Sequence, residues 1–436
     1  MKLYYGNLLV GEIKQIGRFG DFLSMSYSED WLKSKASFPV SLSMPMTGDE
    51  ISGRSVTDWA SNLLPEGEQL HTLHHNLRQS RVSSIISQMG LDTAGALRFE
   101  RAGKDASYIP LSEKDLERIL DDLPSKPFLA GDNGVSLSLA GAQYKLPVAV
   151  FDGVIYLPLN GASSTHIIKP DSSRFNRIYD NEALCMRLAE QVSGNAVNTS
   201  THRAGKRSYI LVERYDRIVH GFGEVERIHQ EDFCQALGLA PSMKYETYQN
   251  DMLAKALGTR TTSMTSLFDV ARHVNATMPF LEAVVFNVMI GNSDAHAKNY
   301  SVLLSHGKPR LAPLYDLVCC SVYSQRRTGN LSQKMSQKIG GRLIPYALKR
   351  AHWERFADDV GLSRVTVLDT VARMSELVEH HIGEVAREKP ESKWLLEVIS
   401  KRTQHVARMS EQTSRGQKKA ERLNNEAARS VNPPSP

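Results

Sequence analysis

Short runs of alternating polarity open the chain. Lys2 to Tyr5, Leu9 to Gln15 and Phe22 to Tyr27 are β-favouring segments with glycine-containing breaks between them, and they predict a small antiparallel meander. The period then lengthens. Residues 55 to 90 hold Asn62-Leu63-Leu64-Pro65, a histidine-rich stretch (His71, His74, His75) and Ile85-Ile86 in a helical pattern, with Gly90 placed as a helix stop. From Ser136 to Lys169 the pattern returns to strands. Lys145 to Phe151 and Val154 to Leu159 flank Asp152-Gly153, a pair suited to the positive φ that both turn positions need, so a hairpin is predicted with His166 to Lys169 as a third neighbouring strand. Asn181 to Val192 reads as a helix with Leu184, Cys185 and Leu188 on one face. Tyr209 to Val212 reads as an apolar strand ending in Glu213-Arg214-Tyr215-Asp216.

Beyond about residue 228 the pattern is largely helical. Its clearest case is 280 to 290, where Phe280, Leu281, Val284, Val285, Val288 and Met289 recur at helical spacing and Gly291 ends the run. A meander, helices, a sheet and then a long helical region predict an α+β protein with two lobes. At 436 residues the chain is too long for one comfortable core, which agrees.

Composition adds a compartment. Four cysteines (Cys185, Cys234, Cys319, Cys320) form no C-x-x-C pair, which favours a reducing, cytoplasmic setting over a disulfide or zinc framework. The amino terminus is interrupted by Gly6, Asn7, Gly11 and Glu12, unlike a signal peptide, and Phe280 to Ile290 is too short to span a bilayer. No membrane role is expected. The net charge of +5 is concentrated at the end, because residues 401 to 436 carry eight bases against three acids. That tail reads as a solvated segment or a nucleic-acid contact. His71, His74 and His75 lack a nearby carboxylate or cysteine to complete a metal set, so they are read as ordinary histidines.

The chemistry gathers after the apolar helix. Gly291-Asn292-Ser293-Asp294-Ala295-His296-Ala297-Lys298-Asn299 is a loop crowded with groups that are costly to bury without a purpose. Tyr300 to Leu304 and Arg310 to Leu314 then read as a hairpin around Ser305-His306-Gly307-Lys308, which returns Tyr315-Asp316 beside Asn299. An amide oxygen and a carboxylate brought together suit magnesium, a hard ion that takes few protein ligands. Asp294 stands five residues before Asn299, the spacing of a kinase catalytic loop, although a turn residue or helix cap has the same appearance. Upstream, Ser136 to Lys145 sets small residues before a hairpin, where backbone N–H groups could surround phosphates, or form a plain turn. Lys169 could pair with phosphates while Glu182 steadies it; the alternatives are a solvated strand-end lysine and a first-turn glutamate. These pieces occur in the order a kinase requires.

Together they resemble the HipA toxin kinases. The resembling segments are Asn62-Leu63-Leu64-Pro65, Ser138-Leu139-Ala140-Gly141-Ala142-Gln143-x-Lys145, Thr165-His166-Ile167-Ile168-Lys169, Asp180-Asn181-Glu182, Glu213-Arg214-Tyr215-Asp216-Arg217, Gln230-Glu231-Asp232, Asp294-x-His296-Ala297-Lys298-Asn299 and Tyr315-Asp316. They span roughly residues 1 to 415. The resemblance implies a two-lobed kinase-like fold, with a β-rich amino-terminal lobe, a mostly helical carboxy-terminal lobe and ATP and Mg²⁺ between them. It divides the chain into a meander with helices (1–110), a nucleotide-binding sheet and helix (111–227), a helical lobe with catalytic and metal loops (228–415) and a basic tail (416–436).

It also implies roles. Asp294 would be the catalytic base, and Ala140, Gly141, Ala142, Gln143, Tyr144 and Lys145 would cover the phosphates that Lys169 contacts. Glu213, Arg214 and Tyr215 would hinge around adenine; His296, Ala297, Lys298, Asn299, Tyr315 and Asp316 would complete the ATP site, with Asn299 and Asp316 holding metal. Ser138 would be the site of autophosphorylation, and about two negative charges there would expel the loop from ATP phosphates. Implied partners are a HipB-like helix-turn-helix antitoxin, operator DNA and a substrate such as an aminoacyl-tRNA synthetase. Lys349, Arg350 or the basic tail could touch DNA. Ala295 and Tyr215 depart from the glycine and phenylalanine familiar in the family. A small-molecule or lipid phosphotransferase, and a catalytically idle corepressor, are the competing expectations.

Overall fold

The computed structural model describes residues 1–17, 22–79, 81–99, 105–130, 132–141, 143–172, 174–305, 307–323 and 333–411. Ala142 of the phosphate loop, His306 of the hairpin and the 416–436 tail lie outside the described residues.

The meander consists of β1 (Lys2–Tyr5), β2 (Leu8–Ile16) and β3 (Phe22–Tyr27), paired antiparallel. Two strands too short to show a period in sequence, β4 (Ile51–Gly53) and β5 (Leu97–Arg98), extend it to the order β4-β3-β2-β1-β5. Its apolar face (Leu3, Val10, Ile13, Leu23, Met25) packs on Trp31 of α1 (Glu29–Lys33), Trp59 of α2 (Arg54–Ser61), Leu73 of α3 (Gly67–Leu77) and Ile85 and Ile86 of α4 (Val82–Met89). Leu137 and Leu139 belong to this same core. The stretch read as a phosphate loop is thus anchored in the amino-terminal unit on both sides of Ser138.

A six-stranded sheet follows, with every pairing antiparallel. It contains β6 (Ser107–Pro110), β7 (Leu146–Phe151), β8 (Val154–Leu159), β9 (His166–Pro170), β10 (Thr199–Ala204) and β11 (Arg207–Glu213) in the order β10-β11-β9-β7-β8-β6. Asp152 and Gly153 make the β7–β8 turn with φ of 50° and 77°, as the hairpin pattern requires. The two-residue period of β11 serves two layers. Tyr209 and Leu211 pack with Leu116, Ile119 and Leu120 of α5 (Glu113–Asp122), whereas Ile210 and Val212 pack with Leu184 and Leu188 of α6 (Ile178–Ser193).

The hairpin of β12 (Arg217–Gly221) and β13 (Glu224–Arg227) leads into a small sheet of β14 (Gln230–Asp232), β15 (Ser301–Leu303) and β16 (Arg310–Leu311). The last two are shorter than the sequence pattern suggests. Leu314 leaves the hairpin to pair with Ala196, exchanging hydrogen bonds with the segment that follows α6. The helical lobe comprises α7 (Phe233–Leu237), α8 (Tyr248–Leu257), α9 (Met264–His273), α10 (Thr277–Ile290), α11 (Arg350–Asp359), α12 (Arg364–Glu388) and α13 (Lys393–Glu411). α10 is apolar on almost every side and accordingly forms the centre of this lobe. Gly291 ends it at φ 72°, a left-handed cap that releases the polar loop. Among the described residues no helix is long and apolar enough to cross a membrane.

Candidate active site

Buried amides shape the loop after α10. Asn292 donates from Nδ2 to Asn287 Oδ1 at 2.8 Å and accepts the Asp294 N–H at 3.1 Å. Asn299 donates from Nδ2 to the Asp294 carbonyl at 2.9 Å, closing the five-residue span between them. Its Oδ1 accepts no hydrogen bond among the described residues. The Asp294 carboxylate keeps open surface on one side, while protein crowds it on the others. The Tyr245 hydroxyl donates to its Oδ1 at 2.6 Å. Crowding raises the Asp294 pKa, the Tyr245 hydrogen bond works against that, and the negative charge of Asp316 adds to it.

The β15–β16 hairpin does bring the second carboxylate to this place. Tyr315 donates its hydroxyl to the Lys298 carbonyl at 2.7 Å, and Asp316 follows in the left-handed conformation, φ 56°, which aspartate tolerates better than most side chains. Asp316 Oδ1 accepts from Lys169 Nζ at 2.7 Å. Lys169, at the end of β9, also donates to Glu182 of α6 at 2.6 Å, and both of these side chains are nearly inaccessible. Burial opposes the Lys169 charge, but Asp316 and Glu182 outweigh it and keep the lysine protonated. Burial likewise opposes ionisation of Asp316, yet Lys169 and then Lys145 hold it well below the usual carboxylate range.

The residues read from the sequence as a phosphate loop stand beside this triad. Lys145 donates to the Ala140 carbonyl at 2.6 Å, and burial, helped by the Lys169 charge, lowers its pKa to about 8. Lys145 thus brings a second ammonium beside Lys169, whose own charge is shared by Asp316 and Glu182. Gly141 has φ 113°, in the left-handed region that favours glycine, with the Lys145 side chain beside it. The amino-terminal unit clamps the loop. The Gly141 carbonyl accepts the Glu66 N–H at 3.1 Å, Gln69 Nε2 reaches the Gln143 carbonyl at 2.9 Å, and Ser138 Oγ donates to the Leu63 carbonyl at 3.0 Å. Tyr144 is half-buried against the six-stranded sheet.

Other predicted side chains have different partners. Arg214 is buried, with both Asp216 oxygens at 2.8 and 2.9 Å, Ser164 Oγ at 2.9 Å and the Thr93 carbonyl at 2.9 Å, so its guanidinium is spent on the fold. Lys298 is also buried; its Nζ donates to Asp232 at 2.6 Å and Asn62 Oδ1 at 2.7 Å rather than facing the Asp294 side of the loop. Glu213 is exposed and accepts from Asn198 Nδ2 at 2.9 Å. Tyr215 stacks on Tyr315 with centroids 5.5 Å apart and donates to Gln230 Oε1. Ala297 is buried, and its N–H donates to the Lys244 carbonyl. His296 is buried edge-on against Tyr245; burial holds its pKa well below the usual histidine range, and its Nδ1 has no partner among the described residues. Glu66, Gln69, Lys244 and Tyr245 escaped sequence reasoning, since each acquires its role only through a contact distant in sequence.

A buried Lys169–Glu182 pair, a carboxylate five residues before an asparagine, and a second carboxylate returned by a hairpin define a two-lobed kinase, a phosphotransferase. The chain belongs to the HipA family: residues 1–100 match the HipA N-terminal domain and residues 137–382 the HipA-like C-terminal domain. It is 36% identical over 403 residues to Y4mE of Sinorhizobium fredii, a candidate kinase, covering 89% of this chain and 91% of the relative. It is 30% identical over 396 residues to the serine/threonine-protein kinase toxin HipA of Shewanella oneidensis, covering 88% and 89%. The solved complex of Shewanella oneidensis HipA with HipB and operator DNA contains a chain that matches at TM-score 0.78 and 27% identity, over 94% of this chain and 96% of that one.

Proposed function

We propose that this protein is an ATP- and magnesium-dependent serine/threonine kinase that serves as the toxin of a toxin–antitoxin pair. The observation that carries the proposal is Lys169 bridging Glu182 and Asp316 while Asn299 fastens the Asp294 loop. Asp294 accepts the proton of the acceptor hydroxyl, whose oxygen attacks the γ-phosphorus as the bond to ADP breaks. Lys169 and Lys145 hold the phosphates, and the Glu213–Tyr215 backbone borders adenine. The donor set fits a hard cation. Asn299 Oδ1 and Asp316 Oδ2 accept no hydrogen bond among the described residues, and Asp316 is held ionised. Asn299 and Asp316 would hold Mg²⁺, which when bound offsets the charge of the β- and γ-phosphates.

Self-inactivation by phosphorylation of Ser138 is part of this reading. Ser138 is buried against Leu63, so it must leave its dock to receive phosphate and cannot return carrying it. A HipB-like antitoxin and operator DNA bound through it are supported by the partners of the Shewanella HipA structure, while corepressor action rests on the family resemblance. A cytoplasmic target such as an aminoacyl-tRNA synthetase rests on the family resemblance.

The test is incubation of the purified protein with labelled ATP and a cytosolic extract. Transfer of label to serine or threonine in a protein band, lost with Asp294→Asn at unchanged thermal stability, is the expected result. Equal labelling by the variant would remove Asp294 from the reaction.

A further inference from the structure

We propose that the Tyr245 phenol occupies the seat at Asp294 that the acceptor hydroxyl of a protein substrate must take, so that its side chain gates access to the base. This rests on the reading of Asp294 as that base. The Tyr245 O–H···Asp294 distance of 2.6 Å is what a general base makes with the hydroxyl it deprotonates. Tyr245 is also the one side chain that donates to this carboxylate among the described residues.

The gate is a side chain and not a loop. The backbone around it is fastened at successive residues: the Lys244 carbonyl accepts from the Ala297 N–H at 3.2 Å and Gln337 Nε2 at 3.1 Å, the Tyr245 carbonyl accepts from Asn250 Nδ2 at 2.8 Å, and the Glu246 N–H donates to the Ser336 carbonyl at 2.9 Å. Opening therefore falls to rotation of the Tyr245 ring about its Cα–Cβ bond. That ring is only half-buried, lying edge-on to His296 at 5.2 Å and with Lys244 Nζ 5.3 Å from its centroid. Lys244 in turn pairs with Glu66 at 2.8 Å, and the Glu66 N–H donates to the Gly141 carbonyl of the phosphate loop. The packing that steadies the closed ring thus includes a group attached to the loop that covers ATP.

A seated phenol keeps water as well as substrate from Oδ1, the carboxylate oxygen it bonds. With the hydroxyl removed, a water can take the seat: Asp294 accepts its proton, its oxygen attacks the γ-phosphorus of ATP, the β–γ bridging P–O bond breaks, and ADP and phosphate leave. The full-length chain carrying Tyr245→Phe, which retains the ring packing, and a second variant, Tyr245→Ala, are assayed for phosphate release from ATP with Mg²⁺. Both are expected to release phosphate faster than the parent, by about threefold or more, a barrier lower by about 0.65 kcal/mol or more. Adding Asp294→Asn should return each to the rate of Asp294→Asn alone. Release unchanged or slowed in both variants, with ATP affinity as in the parent, overturns the gate. If Asp294→Asn instead leaves phosphate release and protein labelling intact in the parent background, the assignment of the base has failed rather than the gate.

Discussion

The Ser138 hydroxyl donates to the Leu63 carbonyl at 3.0 Å, joining the proposed phosphate loop to the segment just after α2, 75 residues earlier. Leu137 and Leu139 on either side are buried in the amino-terminal core, so the loop is held by apolar anchors as well as by this bond. A negative charge at Ser138 would face a carbonyl oxygen out of water, which costs several kcal/mol if the loop stays, and the loop will leave instead. Ser138→Asp is expected to weaken ATP binding by about tenfold or more, roughly 1.4 kcal/mol. Ser138→Ala loses one hydrogen bond, about 1 kcal/mol of stability, and should keep ATP affinity within about twofold. Isothermal titration with ATP and urea denaturation separate the two outcomes.

Lys169 shows what removing one member of a buried charge set does. In Lys169→Met, Glu182 remains almost wholly buried without its 2.6 Å partner. Loss of one partner of such a pair destabilises by roughly 3–5 kcal/mol, whereas replacing both with apolar side chains is often close to neutral. Lys169→Met should therefore lower the urea midpoint sharply, and Lys169→Met with Glu182→Met should recover at least half of the loss. Neither protein should transfer phosphate. A double variant as unstable as the single one would show that Asp316, and not Glu182, dominates the energetics of the triad.

The elements legible in the sequence are those written locally. Asp152-Gly153 dictated a hairpin because both residues accept positive φ, and the apolar run before Gly291 dictated a buried helix ending at the polar loop. The returning hairpin placed Asp316 near the loop for the same reason, though its strands are short because Leu314 pairs elsewhere. What spacing could not supply were partners distant along the chain. Arg214 looked available to a nucleotide, but Thr93 and Ser164 lie far upstream and claim its guanidinium together with Asp216. Tyr245 carries no motif that local periodicity would flag; only the fold puts it on Asp294.

Lys298 turns that difference into a measurement. Its ammonium binds Asp232 and, 236 residues away in sequence, Asn62, whose Nδ2 donates in turn to the Leu239 carbonyl at 2.8 Å. It therefore ties the amino-terminal unit to the helical lobe. Lys298→Met leaves Asp232 buried without its cation and should cost roughly 3 kcal/mol or more. Asn62→Ala should cost less, about 1–2 kcal/mol for lost hydrogen bonds. ATP affinity is expected to stay within about twofold in both. A fall in affinity with no loss of stability would return Lys298 to the nucleotide site.

His229 makes the junction between the units sensitive to pH. Its Nε2 lies 2.9 Å from the Val40 carbonyl, which can only accept, so Nε2 carries the proton and Nδ1 is left bare. The ring stacks on Phe38 at 4.9 Å, and a Cβ on Gly95 would come within 2.8 Å of Nδ1, which leaves little room for water. Burial lowers the pKa to about 4, against the opposing influence of the Val40 hydrogen bond and the Asp216 charge. Between the ordinary histidine value near 6.5 and about 4, the unfolded chain takes up a proton that the folded one refuses. Stability from this group is thus fully present above pH 6.5 and is lost as pH falls through that window, by roughly 3 kcal/mol at its lower end. His229→Gln can still donate an amide N–H to Val40 but does not titrate. Urea denaturation of both proteins at pH 7.5 and 4.5 should show the parent losing more stability than the variant by roughly 2–3 kcal/mol, since the remaining titrating groups are common to both. Equal losses would mean that His229 accepts its proton at Nδ1 in the folded state, and the packing beside Gly95 would then have to give way there while the hydrogen bond to Val40 persists.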